Sequence, residues 1–281
     1  MTIVADLHAH TTCSDGILAP LDLVNKAVAS GLTHLAITDH DTMEAHRQLR
    51  TIEIPEHITI IPGIEISCTE GAQEVHMLGY HLDMDDPTLI EYELSFKSER
   101  QERAQQIVTK LKKLNVSISY EDVTDVAGDA SIGRPHIASV LVKRGYASSI
   151  QKAFDIYLDK GKPAYSARRT FRVSEAVDLI KKAGGVAVVA HPQRTFISEQ
   201  RFLSLVADGI DGIEVFHPSH WPITVEHYRT MAERHQLLMT GGSDFHGSRD
   251  YDERNFGAVG ATLDMVDALS IRAIQRQLHG R

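Results

Sequence analysis

The chain is predicted to be an α/β protein of strand–helix units around a parallel sheet or barrel, and three observations support this. Seven short runs rich in apolar and β-branched residues recur along the 281 residues. Amphipathic patterns with helix start and stop signals alternate with them. Several of the runs are almost wholly apolar, as expected for strands covered on both faces. With 42% apolar and 24% charged residues, the composition is that of an ordinary folded domain with a sizeable core.

The first strand is expected over residues 3–8 and is followed by a helix over 20–30, with proline in its first turn and Gly31 as its stop. Strands over 34–38, 59–66 and 75–81 come next. From about residue 86 to 165 the rhythm changes: a long helical pattern leads into helices over 121–127, 134–144 and 150–158, with no convincing strand. This stretch reads as a helical insertion, residues 86–165, capping a barrel domain of residues 1–85 and 166–281. Within it, the basic run 97–113 carries interspersed acids and apolar Ile107, Leu111 and Leu114 at helical spacing, the pattern of a solvated helix face. A helix over 173–183 ends at Gly184 and Gly185, and strands over 186–190, 212–216 and 237–240 complete the set.

The formal net charge of −9 argues against binding long double-stranded nucleic acid, which needs clustered Lys and Arg to neutralise phosphates. A short anionic substrate held through cations is compatible with it. No run approaches the roughly 18 consecutive apolar residues of a membrane span. The opening "MTIVADLHAH" lacks the basic and apolar regions of a secretory signal, so a soluble cytoplasmic protein is expected. Cys13 and Cys68 make no disulfide framework. Nothing resembling a coiled-coil heptad or exposed apolar stripe suggests a dimer, and a monomer is expected. "GKP" at 161–163 lacks the hydroxyl residue of a nucleoside-triphosphate loop, which excludes a kinase or ATPase of that type.

Polar residues gather at or just after the ends of the strand runs. "DLHAHTTCSDG" supplies His8, His10 and Asp15, "TDHD" supplies His40, "PGIEIS" Glu65, "EVHMLGYH" His76, "VVAHPQR" His191, and "GGSDFHG" Asp244 and His246. His8 and His10, like Asp244 and His246, are two residues apart and so share one face of an extended strand. In a barrel of such units the strand ends form a single rim, where catalytic groups gather. Imidazole and carboxylate together suit Zn, Mn or Fe, and the set exceeds the needs of one ion. Two or three ions bridged by a carboxylate, Glu65 above all, use nearly all of it. His34, His46, His57, His227, His235 and His279 read instead as surface or helix residues.

Taken jointly and in order, "DLHAHTTCSDG", "AITDHDT", "IPGIEIS", "EVHMLGY", "VAVVAHPQR" and "GGSDFHG" resemble the polymerase and histidinol phosphatase (PHP) family of metal-dependent phosphoesterases, over nearly the whole chain. The resemblance implies a distorted (β/α)7 barrel of the TIM-like kind and a centre of two or three metals. It implies His8, His10, Glu65 and Asp244 around a first ion, Glu65, His76 and His191 around a second, and Asp15, His40 and His246 around a third. Some branches have histidine where this chain has Asp15, and the more oxygen-rich third site favours Mn over Zn or Fe.

"GRPHIA" at 133–138 and "YLDKGKPAY" at 157–165 resemble the branch that contains 3′,5′-nucleotide bisphosphate phosphatases and 5′-to-3′ exonucleases acting on RNA ends. Arg134, His136 and Lys162 would then contact the substrate phosphate, with Arg194 a further residue of that kind and His217 and His220 lining the pocket. The implied reaction is in-line attack on phosphorus by a hydroxide bridging ions held by Glu65, His8, His10, His76, His191 and Asp244. Expected substrates are nucleoside 3′,5′-bisphosphates, losing the 3′-phosphate, and short 5′-phosphorylated RNA. A histidinol-phosphate phosphatase is the rival enzyme, amide hydrolysis on the same scaffold a rival chemistry, and a nucleotide-binding module without turnover the non-catalytic rival.

Overall fold

A computed structural model describes residues 2–71, 73–128, 130–167, 171–192 and 199–279. Among these, seven strands form one sheet in sequence order: β1 (Ala5–Ala9), β2 (His34–Ile37), β3 (Thr59–Glu70), β4 (Gln73–Tyr80), β5 (Val186–Val189), β6 (Gly212–Phe216) and β7 (Leu238–Gly241). The β1 and β7 ends approach each other: Ala9 bridges Phe245 in parallel, and the His10 amide donates to the Phe245 carbonyl at 2.8 Å. The result is the nearly closed seven-stranded barrel of a distorted TIM-like fold.

One strand runs against the expected direction. β1–β2, β2–β3, β5–β6 and β6–β7 are parallel, whereas β4 is antiparallel to both β3 and β5. A parallel pair needs a crossover of about a dozen residues or more. The link from β3 to β4 is a tight hairpin with Glu70 opposite Gln73, so the pair can only be antiparallel. The reversal decides where His76 lies. It sits in the first half of β4, opposite Ser67, and its carbonyl accepts from the Ala190 amide at 3.0 Å, one residue before His191. The early part of β4 thereby shares the rim on which the other strands end.

Helices α1 (Pro20–Ala29) and α2 (Glu44–Leu49) pack with β1 and β2 around Leu23, Val24, Leu35 and Ile37. His46 on α2 is buried, its Nε2 lying 2.8 Å from the Ile37 carbonyl and 3.0 Å from the Gly63 amide, so it ties β2 to β3. Cys13 and Cys68 are both buried and free.

The chain divides into two compact units, residues 1–91 with 170–281 and residues 92–169, the division falling within α3 (Pro87–Lys113). The second unit contains most of α3 together with α4 (Tyr120–Ala127), α5 (Arg134–Lys143) and α6 (Ile150–Ala153), which continues as a π-helical turn (Phe154–Leu158). It has its own apolar core, including Ile107, Leu111, Val123, Leu141 and Leu158. Ser119 and Asp122 cap α4 reciprocally, at 2.8 and 3.0 Å. The basic run on α3 is not wholly solvated: Arg100 and Arg103 are buried, donating to the carbonyls of Ile132 at 3.3 Å and Ser166 at 2.9 Å. Their long apolar stems permit this when the guanidinium finds carbonyl acceptors.

The first unit also carries α7 (Val173–Lys182), α8 (Glu199–Ala207), α9 (Pro222–Arg234), the short α10 (Asp252–Asn255) and α11 (Leu263–His279). No helix among the described residues is long and apolar enough to cross a membrane.

Candidate metal centre

Glu65 is the hub of the site. It is buried on β3, and its Oε1 lies 2.8 Å from His76 Nδ1 and 3.1 Å from His191 Nε2. Its Oε2 lies 3.0 Å from His40 Nδ1, 3.3 Å from His10 Nε2 and 3.4 Å from His8 Nε2. Asp244 Oδ1 faces the same two nitrogens of His8 and His10 at 3.5 and 3.4 Å. Asp15 Oδ1 lies 3.3 Å from His246 Nε2, and its Oδ2 lies 3.9 Å from His40 Nε2.

All nine residues named from the sequence as metal ligands are therefore neighbours. They form four overlapping groups whose ligand atoms lie within 4.8 Å of one another: His8, Glu65 and His191; His8, His10 and Asp244; His40, Glu65 and His76; and His10, Asp15, His40 and His246. The grouping differs in detail from the three sets expected. His40 faces Glu65 and His76 as well as Asp15, and His10 approaches Asp15 as well as Asp244. Overlap of this kind is what side chains shared by adjacent ions produce.

The residues fit metal ions on two counts. Several buried ring nitrogens, His8 Nε2, both nitrogens of His10, His40 Nδ1 and His191 Nδ1, have no hydrogen-bond partner in the protein, and neither does Glu65 Oε2. Buried polar atoms left in this way cost about 1–3 kcal/mol each unless something else satisfies them. The separations agree as well. Two ligands bound to one tetrahedral ion at about 2.0–2.2 Å stand roughly 3.3–3.6 Å apart, longer than a good hydrogen bond. The distances from His8 and His10 to Glu65 and Asp244, 3.3–3.5 Å, fall in that interval. The mixed nitrogen and carboxylate donor set is one that borderline divalent metals use.

Electrostatics point the same way. Burial opposes the charged form of Glu65, yet the surrounding rings of His40, His76 and His8 hold its carboxyl well below the usual range. Burial likewise opposes ionisation of Asp244, and Arg249 and His246 outweigh it. Burial disfavours protonation of His10, but Asp244 and Glu65 raise it to about 10. For His40, burial prevails over Glu65 and Asp15 and, with the His10 and His76 charges, pushes it down to about 3.

The backbone is unusual at three points around the centre. Asp41, His191 and Asp244 adopt φ of 56°, 28° and 52°, a left-handed region that costs non-glycine residues about 1–3 kcal/mol. Gly242, in the double glycine before Asp244, meets a different need. A Cβ there would stand 2.4 Å from both the Cβ and the amide nitrogen of His8, so only glycine allows the chain after β7 to approach β1.

Several supporting residues went unnoticed in the sequence reading. Arg249 Nη1 donates to Asp244 Oδ2 at 2.8 Å and to its carbonyl at 3.1 Å. Asp252 accepts the amides of His246 and Arg249 at 3.2 and 3.1 Å. Asp6 accepts the amides of His8 and Ser243 at 3.2 and 3.0 Å; burial, only partly offset by Ser243 and His8, pushes its carboxyl up to about 6. Glu214 on β6 receives His8 Nδ1–H at 2.9 Å and the His191 amide at 2.7 Å. The available signal was a single carboxylate inside the apolar run "GIEVF", a pattern that also marks Glu65 in "GIEIS".

The residues named for substrate binding are distributed differently. His217 and His220 follow β6. The Nε2 of His217 lies 3.6 Å from Asp244 Oδ2, and His220 donates Nδ1–H to the Val215 carbonyl at 2.8 Å. Arg134, His136 and Lys162 belong to the helical unit. There the Arg134 guanidinium lies 5.7 Å from the Phe154 ring centroid, His136 Nδ1 accepts the Gly133 amide at 3.0 Å, and the exposed Lys162 follows a turn closed on the Asp159 carbonyl. Arg194 lies outside the described residues.

The PHP domain family profile matches residues 6–185. The 5′-3′ exoribonuclease Rnm of Escherichia coli K12 is 36% identical over 87% of this chain and 85% of its own. A 3′,5′-nucleoside bisphosphate phosphatase of Chromobacterium violaceum is 32% identical over 98% of this chain and 96% of its own. A solved structure of an inferred metal-dependent phosphoesterase from Bifidobacterium adolescentis superposes with a TM-score of 0.85 at 32% identity, covering 95% of this chain and 96% of that one. With the barrel, the site and these similarities together, the chain belongs to the PHP domain family and is one of its metal-dependent phosphoesterases.

Proposed function

We propose that this phosphoesterase removes the 3′-phosphate of nucleoside 3′,5′-bisphosphates and also acts on short 5′-phosphorylated RNA. The observation that carries the reading is that relatives of both kinds match almost the whole chain, insertion included. The net charge of −9 supports a small substrate over a long nucleic acid.

His8, His10, Glu65, Asp244, His76, His191, Asp15, His40 and His246 would hold two or three divalent cations, Mn foremost given the oxygen-rich group at Asp15. Bound there, the cations would neutralise phosphoryl oxygens and lower the pKa of an attacking water. The protein's own contribution is arrangement. Glu65 offers both oxygens to opposite sides of the cluster, and Arg249 fixes the Asp244 carboxylate. Arg134, His136, Lys162, Arg194 and His220 are proposed to engage the substrate, the guanidiniums in bidentate fashion.

The test is product analysis after the Mn-loaded protein meets adenosine 3′,5′-bisphosphate and, separately, a 5′-phosphorylated oligoribonucleotide. Release of one phosphate with AMP remaining, and of 5′-mononucleotides from the RNA, is expected. Inert behaviour toward both, with turnover of histidinol phosphate by the same preparation, would refute the substrate assignment.

A further inference from the structure

The buried carboxylate of Glu214 connects His8 and His191, which with Glu65 make up one of the four groups of ligand atoms. Its side chain is 0% exposed on β6, and each of its oxygens is occupied. Oε1 accepts Nδ1–H of His8 at 2.9 Å, and Oε2 accepts the backbone amide of His191 at 2.7 Å. Neither oxygen belongs to any of the four groups of ligand atoms, so Glu214 stands behind the centre and is not one of its ligands. Among the described residues its ion-pair partner is His8.

Each contact has a distinct consequence. An ionised carboxylate only accepts, so the bond at Nδ1 requires that nitrogen of His8 to carry the proton. In the neutral ring, the form that binds a metal, the lone pair is then on Nε2, the atom facing Glu65 and Asp244 and lacking any hydrogen-bond partner in the protein. The second contact falls where the backbone is strained. His191 has φ of 28°, and such a conformation persists only when its surroundings over-determine it. The Glu214 bond to the His191 amide is one such restraint, and it sets the position from which His191 Nε2 approaches Glu65 at 3.1 Å.

We propose that Glu214 is a positioning residue for the metal centre, selecting the His8 tautomer and holding the His191 backbone so that the donor group of His8, Glu65 and His191 is set for a divalent cation. The proposal rests on the metal-centre reading above. A Glu214→Gln chain retains the side chain's size, but its amide oxygen can accept only one of the two donors, and its NH2 group then faces the other. Outer carboxylates of this kind are typically worth about 10–100-fold in metal affinity.

The experiment is a Mn titration of the chelator-stripped full chain, followed by the electron paramagnetic resonance of free Mn, for wild type and Glu214→Gln. A ten- to hundredfold weaker affinity in the variant is expected, with kcat recovering at excess Mn and KM for the phosphate ester unchanged. Equal Mn affinity in the two proteins would overturn the proposal while leaving the metal centre intact, whereas absence of Mn binding by the wild type would overturn both. Should Glu214→Gln fail to fold, 15N-detected tautomer assignment of His8 in the wild-type chain decides: a proton on Nδ1 supports the proposal, and a bare Nδ1 contradicts it.

Discussion

Glu65 presents both oxygens to ring nitrogens from four strand ends or loops, an arrangement that a hydrogen-bond network alone leaves incomplete, because several of those nitrogens have no protein partner. His76 is the most separable test at this scale, since it is one of the more exposed of the nine and packs little of the core. His76→Ala is expected to keep the fold, as judged by circular dichroism, and to lose at least tenfold in kcat at limiting metal. Full activity under those conditions would remove His76 from the ligand set. The nine residues proposed as ligands were legible because they lie in, at or just after the ends of apolar runs. Glu214 and Arg249 were not singled out. Glu214 carries the same signal as Glu65, a lone carboxylate inside an apolar run, and Arg249 lies in a loop whose conformation is set by Asp252 and Asp244.

At the scale of elements, strand positions were read closely, but direction was not. The apolar pattern of β4 is the same whichever way the strand runs, and only the short link after β3 reveals the reversal that brings His76 to the rim. The closure of β7 on β1 depends on Gly242. Gly242→Ala forces a methyl group into the His8 backbone and is expected to cost about 1–3 kcal/mol in chemical denaturation, with loss of metal binding as β1 shifts. Unchanged stability together with unchanged metal binding would contradict the role given to Gly242.

Asp211 anchors the last helix. It accepts Arg276 at two bonds of 2.8 Å, Arg272 at 3.0 Å and the Ala187 amide at 2.9 Å. Burial raises its pKa, but Arg276, then the Ala187 amide and Arg272, outweigh this and leave it below the ordinary aspartate value. A depressed folded-state pKa contributes stability that is present above the unfolded value of about 3.9 and is lost as pH falls through the folded value. Asp211→Ala should therefore destabilise by about 1–3 kcal/mol at neutral pH, because the two arginines left behind are partly solvated, and by less as the pH approaches 3. A difference independent of pH would contradict the ion-pair reading.

At the scale of the whole chain, the net charge of −9 argued against extended nucleic-acid binding and the strand rhythm indicated the barrel, while the helical segment was recognisable chiefly by its lack of strands. Its interior was harder to read. Arg100 and Arg103 look like solvent-facing cations in sequence because the carbonyls that receive them, at residues 132 and 166, lie far along the chain. The π-helical turn at Phe154–Leu158 continued a pattern that reads as an ordinary helix, since a single turn of five residues is too short for its different period to show in the apolar spacing.

If Glu65 and the eight side chains grouped with it form one centre for more than one ion, elemental analysis of metal per chain in wild type and Glu65→Gln shows it most directly. Two or more divalent ions in the wild type, with a loss of more than half in Glu65→Gln, are the predicted result. A single ion in the wild type, or a content unaffected by Glu65→Gln, would contradict it.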